Sequence, residues 1–352
     1  MRTQINWMLN NYCTSECTYC PTKLRGGESP KGILEYIEVT QQLIDHYNSL
    51  GRKIDWIFNG GEPLDMFDFP MMLKLCKENG GTIDLTTNGG KLWLDWWAIA
   101  PHIDSLHLSY HYWQNPNLIK FIIQAFQKAN KHIDISVPIR PDYFDQDMHR
   151  ALEIETEFNI VVSKNVLYNE ADQSAGMFPY TEKQLRVMRG EIIVEEPIIE
   201  ETTIEEIIVE NSVIADTIIE FEKPVFKEKR IKITPIYVPN ELVEEQQYFK
   251  TTTFQERYEN KIAENPVYTG MLCNVGIEKL TISHLGWVSG SSCNDKPLGN
   301  IWSNNGIPIS DAETEQNILN KLGLPTTPHV CGMRACMHIS DQLITKFPQT
   351  GT

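Results

Sequence analysis

From the first residues to about position 168, short runs rich in β-branched and aromatic side chains alternate with longer amphipathic stretches. The runs at 3–9, 54–59, 82–87, 103–110, 133–139 and 160–167 predict strands. The stretches at 31–50, 66–79, 91–100, 116–130 and 144–158 predict helices. In the first of these, Leu34, Tyr36, Ile37, Val39, Leu43 and Ile44 follow the three-and-four spacing of a helix with one buried face. Strand–helix alternation of this length implies parallel strands joined by right-handed crossovers. Six such units predict an α/β fold, a partial (βα)6 TIM-like barrel, with its chemistry on the loops that follow the strands.

The pattern changes near residue 190. Residues 191–222 carry eleven acidic side chains and no Lys or Arg, and a basic stretch follows from Lys223 to Lys232. The apolar residues there are almost all Ile and Val, which favours strands. Two readings stand: an inserted β-ribbon whose acidic and basic arms pair, or a solvated acidic linker. From Tyr268 to the end, strand-like pairs separated by Gly and Asn turns predict a small α+β module. The expected domains are therefore 1–189, an acidic, β-prone insertion at 190–250, and 251–352.

A length of 352 residues with 41% hydrophobic side chains supports a sizeable core. The net charge of −16 argues against a nucleic-acid partner, although most of it belongs to the insertion. No apolar run approaches the roughly 20 residues of a membrane helix, and nothing at the N-terminus reads as a signal peptide. A cytoplasmic protein with no membrane contact is the expectation.

The eight cysteines are Cys13, Cys17, Cys20, Cys76, Cys273, Cys293, Cys331 and Cys336. In a reducing compartment such clusters bind metal more often than they form disulfides. Cys76 lies on a helical pattern and reads as a small buried hydrophobe. Cys13, Cys17 and Cys20 form a Cys-x3-Cys-x2-Cys loop directly after the first strand. Three thiolates so close together suit three irons of a [4Fe–4S] cubane, leaving the fourth iron without a protein ligand. A zinc site would need a fourth ligand nearby, and the next histidine is His46.

With this loop the sequence resembles the radical SAM superfamily. The match extends to Asn59-Gly60-Gly61-Glu62-Pro63 after the second strand, similar to the family's Gly-Gly-Glu-Pro segment. Glycines there would let the backbone approach a ligand closely. Tyr19 stands where the family places an aromatic against adenine. Asn88, Ser109 and Arg140 end the third, fourth and fifth strands, where cofactor contacts are expected; Arg140 is a candidate bidentate partner for a carboxylate. His107, on the same strand as Ser109, reads equally as a satisfied interior histidine or a catalytic one. The resemblance implies a [4Fe–4S] cluster on Cys13, Cys17 and Cys20 with S-adenosylmethionine on its open iron. Reductive cleavage then gives a 5′-deoxyadenosyl radical that takes a substrate hydrogen, with electrons from an external donor such as flavodoxin or ferredoxin.

Cys273, Gly286, Cys293, the Gly299-Asn300-Ile301 turn, Cys331 and Cys336 are similar to the twitch or shortened SPASM extension of that superfamily. The full SPASM pattern has seven cysteines; four are present here. They imply one auxiliary [4Fe–4S] cluster, with a structural tetrathiolate zinc as the alternative. Oxidation or cross-linking of a peptide or protein substrate is the leading expectation. Oxidation or rearrangement of a small alcohol, sugar or nucleotide is the second, favoured by the lack of room before the first strand for a leader-binding domain. A non-catalytic iron–sulfur protein is the third, and no cobalamin-binding segment suggests methyl transfer.

Overall fold

The computed structural model describes residues 1–15, 17–20, 25–27, 32–91, 94–168, 177–191, 271–290, 298–304, 307–308, 322, 324–330, 344 and 346–347, with backbone alone at 303–304, 307–308, 329–330 and 347. The chain divides into two compact units, Met1–Phe178 with Asn240–Thr352, and Pro179–Pro239.

Six strands lie side by side in sequence order, all parallel: β1 (Arg2–Met8), β2 (Lys53–Asn59), β3 (Thr82–Thr87), β4 (Ser105–Ser109), β5 (His132–Ile139) and β6 (Val162–Val166). Each lies within two residues of its expected span. Between them run α1 (Ile33–Ser49), α2 (Phe69–Glu78), α3 (Trp96–Ile99), α4 (Pro116–Lys128) and α5 (Phe144–Phe158). The fold is thus α/β, a partial βα barrel.

Two helices depart from their expected extents. The helix expected over 91–100 shrinks to α3, because the Asp95 carboxylate accepts from Trp97 N and Ala98 N and so fixes its start. Pro101 then turns the chain into a 3-10 segment. The helix expected from 66 begins instead at Phe69, behind a 3-10 turn at Pro63–Asp65 and a left-handed Asp68 (φ 62°).

Strand alternation sorts the side chains into two faces. Ile5, Trp7, Trp56, Phe58, Ile83, Leu85, Leu106, Leu108, Ile135 and Val137 are buried on one of them. The helices pack there: Tyr36 of α1 lies 5.7 Å from Trp7, and Phe69 of α2 lies edge-on to Phe58 at 5.6 Å. The opposite face, with Asn6, Asn59, Asp84, His107, Ser109, Asp134 and Ser136, is polar and only partly buried or exposed. In a barrel with its helices outside, this is the inner face.

Three strands from the expected C-terminal module extend the same sheet. β7 (Leu272–Cys273) comes first in the chain but lies elsewhere, between β13 (His329–Val330) and β14 (Lys346–Phe347) in a small antiparallel sheet. β8 (Lys279–Ile282) pairs parallel with the outer side of β1, followed by β9 (Trp287–Ser289) and β10 (Gly299–Asn300) in antiparallel order. Its approach is fixed by Thr3 Oγ1 donating to Ile277 O (2.7 Å) and Tyr47 Oη donating to Gly276 O (2.8 Å). β11 (Ser303–Asn304) and β12 (Ile307–Pro308) form a hairpin.

The second unit is described over 179–191, where it forms α6 (Glu182–Met188), opened by a Thr181–Gln184 capping box. Of the acidic insertion expected at 190–250, residues 192–250 lie outside the described residues. Among the described residues no helix is long and apolar enough to cross a membrane.

Candidate active site

The β1–β2 pairing continues past the strand ends into the loops. Leu9 N donates to Asn59 O, Gly61 N to Asn10 O and Glu62 N to Tyr12 O, at 2.8–2.9 Å. The two backbones run so close that a Cβ on Gly61 would stand 2.0 Å from Tyr12 O, and one on Gly60 (φ 141°) 2.5 Å from Asn10 O. The glycines are therefore required by the cysteine loop itself: what approaches them is the backbone of residues 10–12. Asp65 secures the next turn, accepting from Thr14 N (2.7 Å) and Thr14 Oγ1 (3.1 Å) while pairing with Lys91.

Glu62 ties this assembly to the end of β3. Its carboxylate is 2% exposed and accepts from Leu64 N (2.9 Å), Thr87 Oγ1 (2.5 Å) and Asn88 N (2.7 Å). Burial pushes the carboxyl up to about 7, against the pull of these three donors. Pro63, buried behind it, opens the 3-10 turn. Gly60, Gly61 and Glu62 thus hold the frame of the loop.

None of Cys13, Cys17 and Cys20 is in a disulfide; Cys17 is buried and the other two are half-buried. Cys13 Sγ accepts from Ser15 N (3.4 Å) and lies 3.9 Å from Asn88 Nδ2. Burial raises its thiol above the ordinary value, with the Ser15 contacts working against the shift. Cys17 Sγ accepts from the indole Nε1 of Trp113 at 3.3 Å. Trp113, His111 and Tyr19 form a near-parallel stack, with centroids 5.6 Å and 5.9 Å apart and planes within 5° and 17°. Burial pushes His111 down to about 4, with Arg150 adding to the effect, and burial raises the Tyr19 hydroxyl. Tyr19 Oη and His111 Nδ1 share a hydrogen bond of 2.6 Å.

Beside this loop is a cavity of about 330 Å³, lined by Thr14, Ser15, Asn88, Gly90, Lys91, Tyr112 and Trp113. Asn88 Nδ2 donates to Ser15 Oγ across it (3.3 Å), and buried Gln114 bonds both Asn88 O and His111 N, joining the β3 and β4 loops. The donor set fits an iron–sulfur cluster. Among the described residues no group of three or more His, Cys, Asp or Glu side chains is arranged to hold a single metal ion. Three cysteines on one loop, none in a disulfide, are the donor set of a cubane, in which each thiolate binds a different iron.

Of the expected cofactor residues, Tyr19 and Asn88 meet at this loop, with Gly60, Gly61, Glu62 and Pro63 beneath. Ser109 lies on the inner sheet face opposite Ser136. The Arg140 fork is occupied by Asp147, with Nε–Oδ2 2.9 Å and Nη2–Oδ1 2.8 Å, and its guanidinium lies between the Tyr112 and Tyr143 rings at 3.9 Å and 4.2 Å. His107 bridges two carboxylates, Asp84 through Nε2 (3.0 Å) and Asp134 through Nδ1 (3.2 Å). Thr14, Ser15, Lys91, Tyr112, Trp113 and Gln114 were not singled out by the sequence; their position in the loops after β1, β3 and β4 was the available signal.

Cys273 is buried on β7 with Val275 and Ile344. Cys293, Cys331 and Cys336 lie outside the described residues. Cys76 is buried in α2, as its pattern implied.

These features have a counterpart among known proteins. Residues 7–153 match the Radical SAM superfamily model. The matched segment runs from β1 into α5 and contains the cysteine loop, the glycine segment and the cavity. No curated protein is similar to the chain in sequence. Among solved structures, anSMEcpe with bound AdoMet and Cp18Cys peptide aligns at 13% identity and TM-score 0.39, over 54% of this chain and 58% of that one. SuiB of Streptococcus suis bound to its precursor peptide SuiA aligns at 13% identity and TM-score 0.44, over 92% of this chain and 65% of that one. Native anSMEcpe with bound AdoMet aligns at 11% identity and TM-score 0.44, over 92% and 80%. The chain thus spans less than two thirds of SuiB and of the first anSMEcpe structure.

Proposed function

We propose that this chain is a radical SAM enzyme acting on a peptide or protein, and that a second, auxiliary cluster supports oxidation or cross-linking of that substrate. The carrying observation is a single loop that presents three cysteines and also supplies two walls of a cavity, Thr14 and Ser15. In this reading Cys13, Cys17 and Cys20 hold a [4Fe–4S] cluster, and Gly60, Gly61 and Glu62 keep the loop in place. When bound, the reduced cluster and S-adenosylmethionine supply one-electron cleavage of a sulfonium C–S bond and hydrogen-atom abstraction from substrate.

The chain's own groups then have the following roles. Asn88 and Ser15 offer amide and hydroxyl contacts to the polar end of the cofactor. Tyr19 provides a ring face for adenine, held by His111. Ser109 is a contact on the inner face, and Arg140 holds the Tyr112 ring that lines the cavity. Gln114 keeps the two cavity loops closed on each other, which limits water. The auxiliary cluster is proposed on Cys273, Cys293, Cys331 and Cys336. Supporting it, His329 pairs with Cys273, and Cys331 follows β13 directly in the sequence. The peptide or protein substrate rests on the resemblance of these four cysteines to the twitch and SPASM extensions.

The test is anaerobic incubation of the iron-loaded protein with dithionite and S-adenosylmethionine. The wild type is expected to release 5′-deoxyadenosine and Cys17→Ala none. Equal yields from both would overturn the assignment.

A further inference from the structure

We infer that Trp113 is a positioning residue for the cluster: its indole N–H donates to the Cys17 sulfur and sets how readily the cluster accepts an electron. The inference rests on the reading of Cys17 as a cluster ligand and goes beyond it, since nothing in the cysteine motif specifies a donor to that sulfur.

The geometry has three parts. The indole Nε1 lies 3.3 Å from Cys17 Sγ, nearer than Ser15 N (3.4 Å) or Asn88 Nδ2 (3.9 Å) lies to Cys13 Sγ. Tryptophan offers a donor and no acceptor, so the direction is unambiguous. His111 Nδ1 lies 3.9 Å from the same sulfur, so the indole is the nearer of the two ring nitrogens facing Cys17.

The ring is held at this angle by His111, which lies parallel to one face with planes within 5°. Trp113 nevertheless stays 39% exposed. A large apolar ring left half in solvent is poorly explained by packing alone, whereas a specific bond at its nitrogen accounts for the placement.

The consequence follows from charge. A reduced cluster carries one more electron than the oxidised one, spread partly onto its thiolates. An N–H aimed at a ligand sulfur stabilises that extra charge more than it stabilises the oxidised form, and so raises the reduction potential.

The test uses the anaerobically iron-loaded full chain without S-adenosylmethionine, because Trp113 also lines the cavity. Potentiometric titration followed by electron paramagnetic resonance is expected to give a more negative midpoint for Trp113→Phe than for wild type, at equal iron content. The signal that changes on later addition of S-adenosylmethionine identifies the Cys17 centre. In protein labelled with 15N-indole tryptophan, a nitrogen coupling to the reduced centre is expected and should be lost in Trp113→Phe. If that variant fails to load iron, a benzothienyl-alanine at 113 keeps the ring shape while replacing the N–H with sulfur, and should show the same negative shift. Unchanged midpoint and coupling would overturn the inference. A wild type that forms no such centre would overturn the functional reading instead.

Discussion

His107 shows how a single side chain can be placed correctly from sequence while its chemistry stays out of view. Its alternation with Leu106 and Leu108 puts it on the inner sheet face. That Asp84 and Asp134 flank it depends on the β3–β4–β5 register, which no local pattern reveals. The Asp84 hydrogen bond raises the imidazole above its ordinary value, with the charges of Asp84 and Asp134 adding to the shift and burial opposing it. Because the folded value is raised, the stabilisation is full below the unfolded value of about 6.5 and is lost as pH rises through the folded one. The melting-temperature difference between wild type and His107→Asn should therefore be larger at pH 6 than at pH 9; thermal melts at both would check it, and a difference that grows with pH would contradict the ion pairing. Glu62 teaches a similar lesson. Its position in the motif was legible, but its carboxylate serves Leu64, Thr87 and Asn88.

At the scale of elements, the strands were legible because β-branched runs and alternating burial are local properties. The helix at 91–100 was over-read because a cap at Asp95 and a break at Pro101 outweigh helical spacing over so short a stretch. The Gly60–Gly61 turn was legible as a close approach of backbone, and the structure adds that residues 10–12 make that approach. Gly61→Ala should cost at least about 2 kcal/mol, on the basis of two backbone hydrogen bonds at about 1 kcal/mol each, Gly61 N to Asn10 O and Glu62 N to Tyr12 O. It should also lower iron uptake. Urea unfolding and iron assay would measure both, with Gly32→Ala as the control, since a Cβ there meets nothing within 4 Å. Equal behaviour of the two variants would remove the argument for glycine at 61.

For the whole molecule, the parallel order of six strands was readable from strand–helix alternation, whereas the docking of β8 beside β1 was not. A four-residue strand more than 270 positions away carries no local sign of its partner. The proposed division of the cysteines into three, four and one makes a stoichiometric prediction: about eight irons per chain after anaerobic reconstitution. Cys273→Ala should lower this towards four while sparing the Cys17 centre. Iron near four with one bound zinc in the wild type would instead favour the structural tetrathiolate. The position of β1 also bears on biosynthesis. At about 5–20 residues per second, the ribosome needs on the order of ten seconds to a minute to travel from β1 to β8. Through that interval the strand leading into the cysteine loop has β2 on one side and an unpaired backbone edge on the other, Gln4 to Trp7, open to chaperones or to a neighbouring nascent chain.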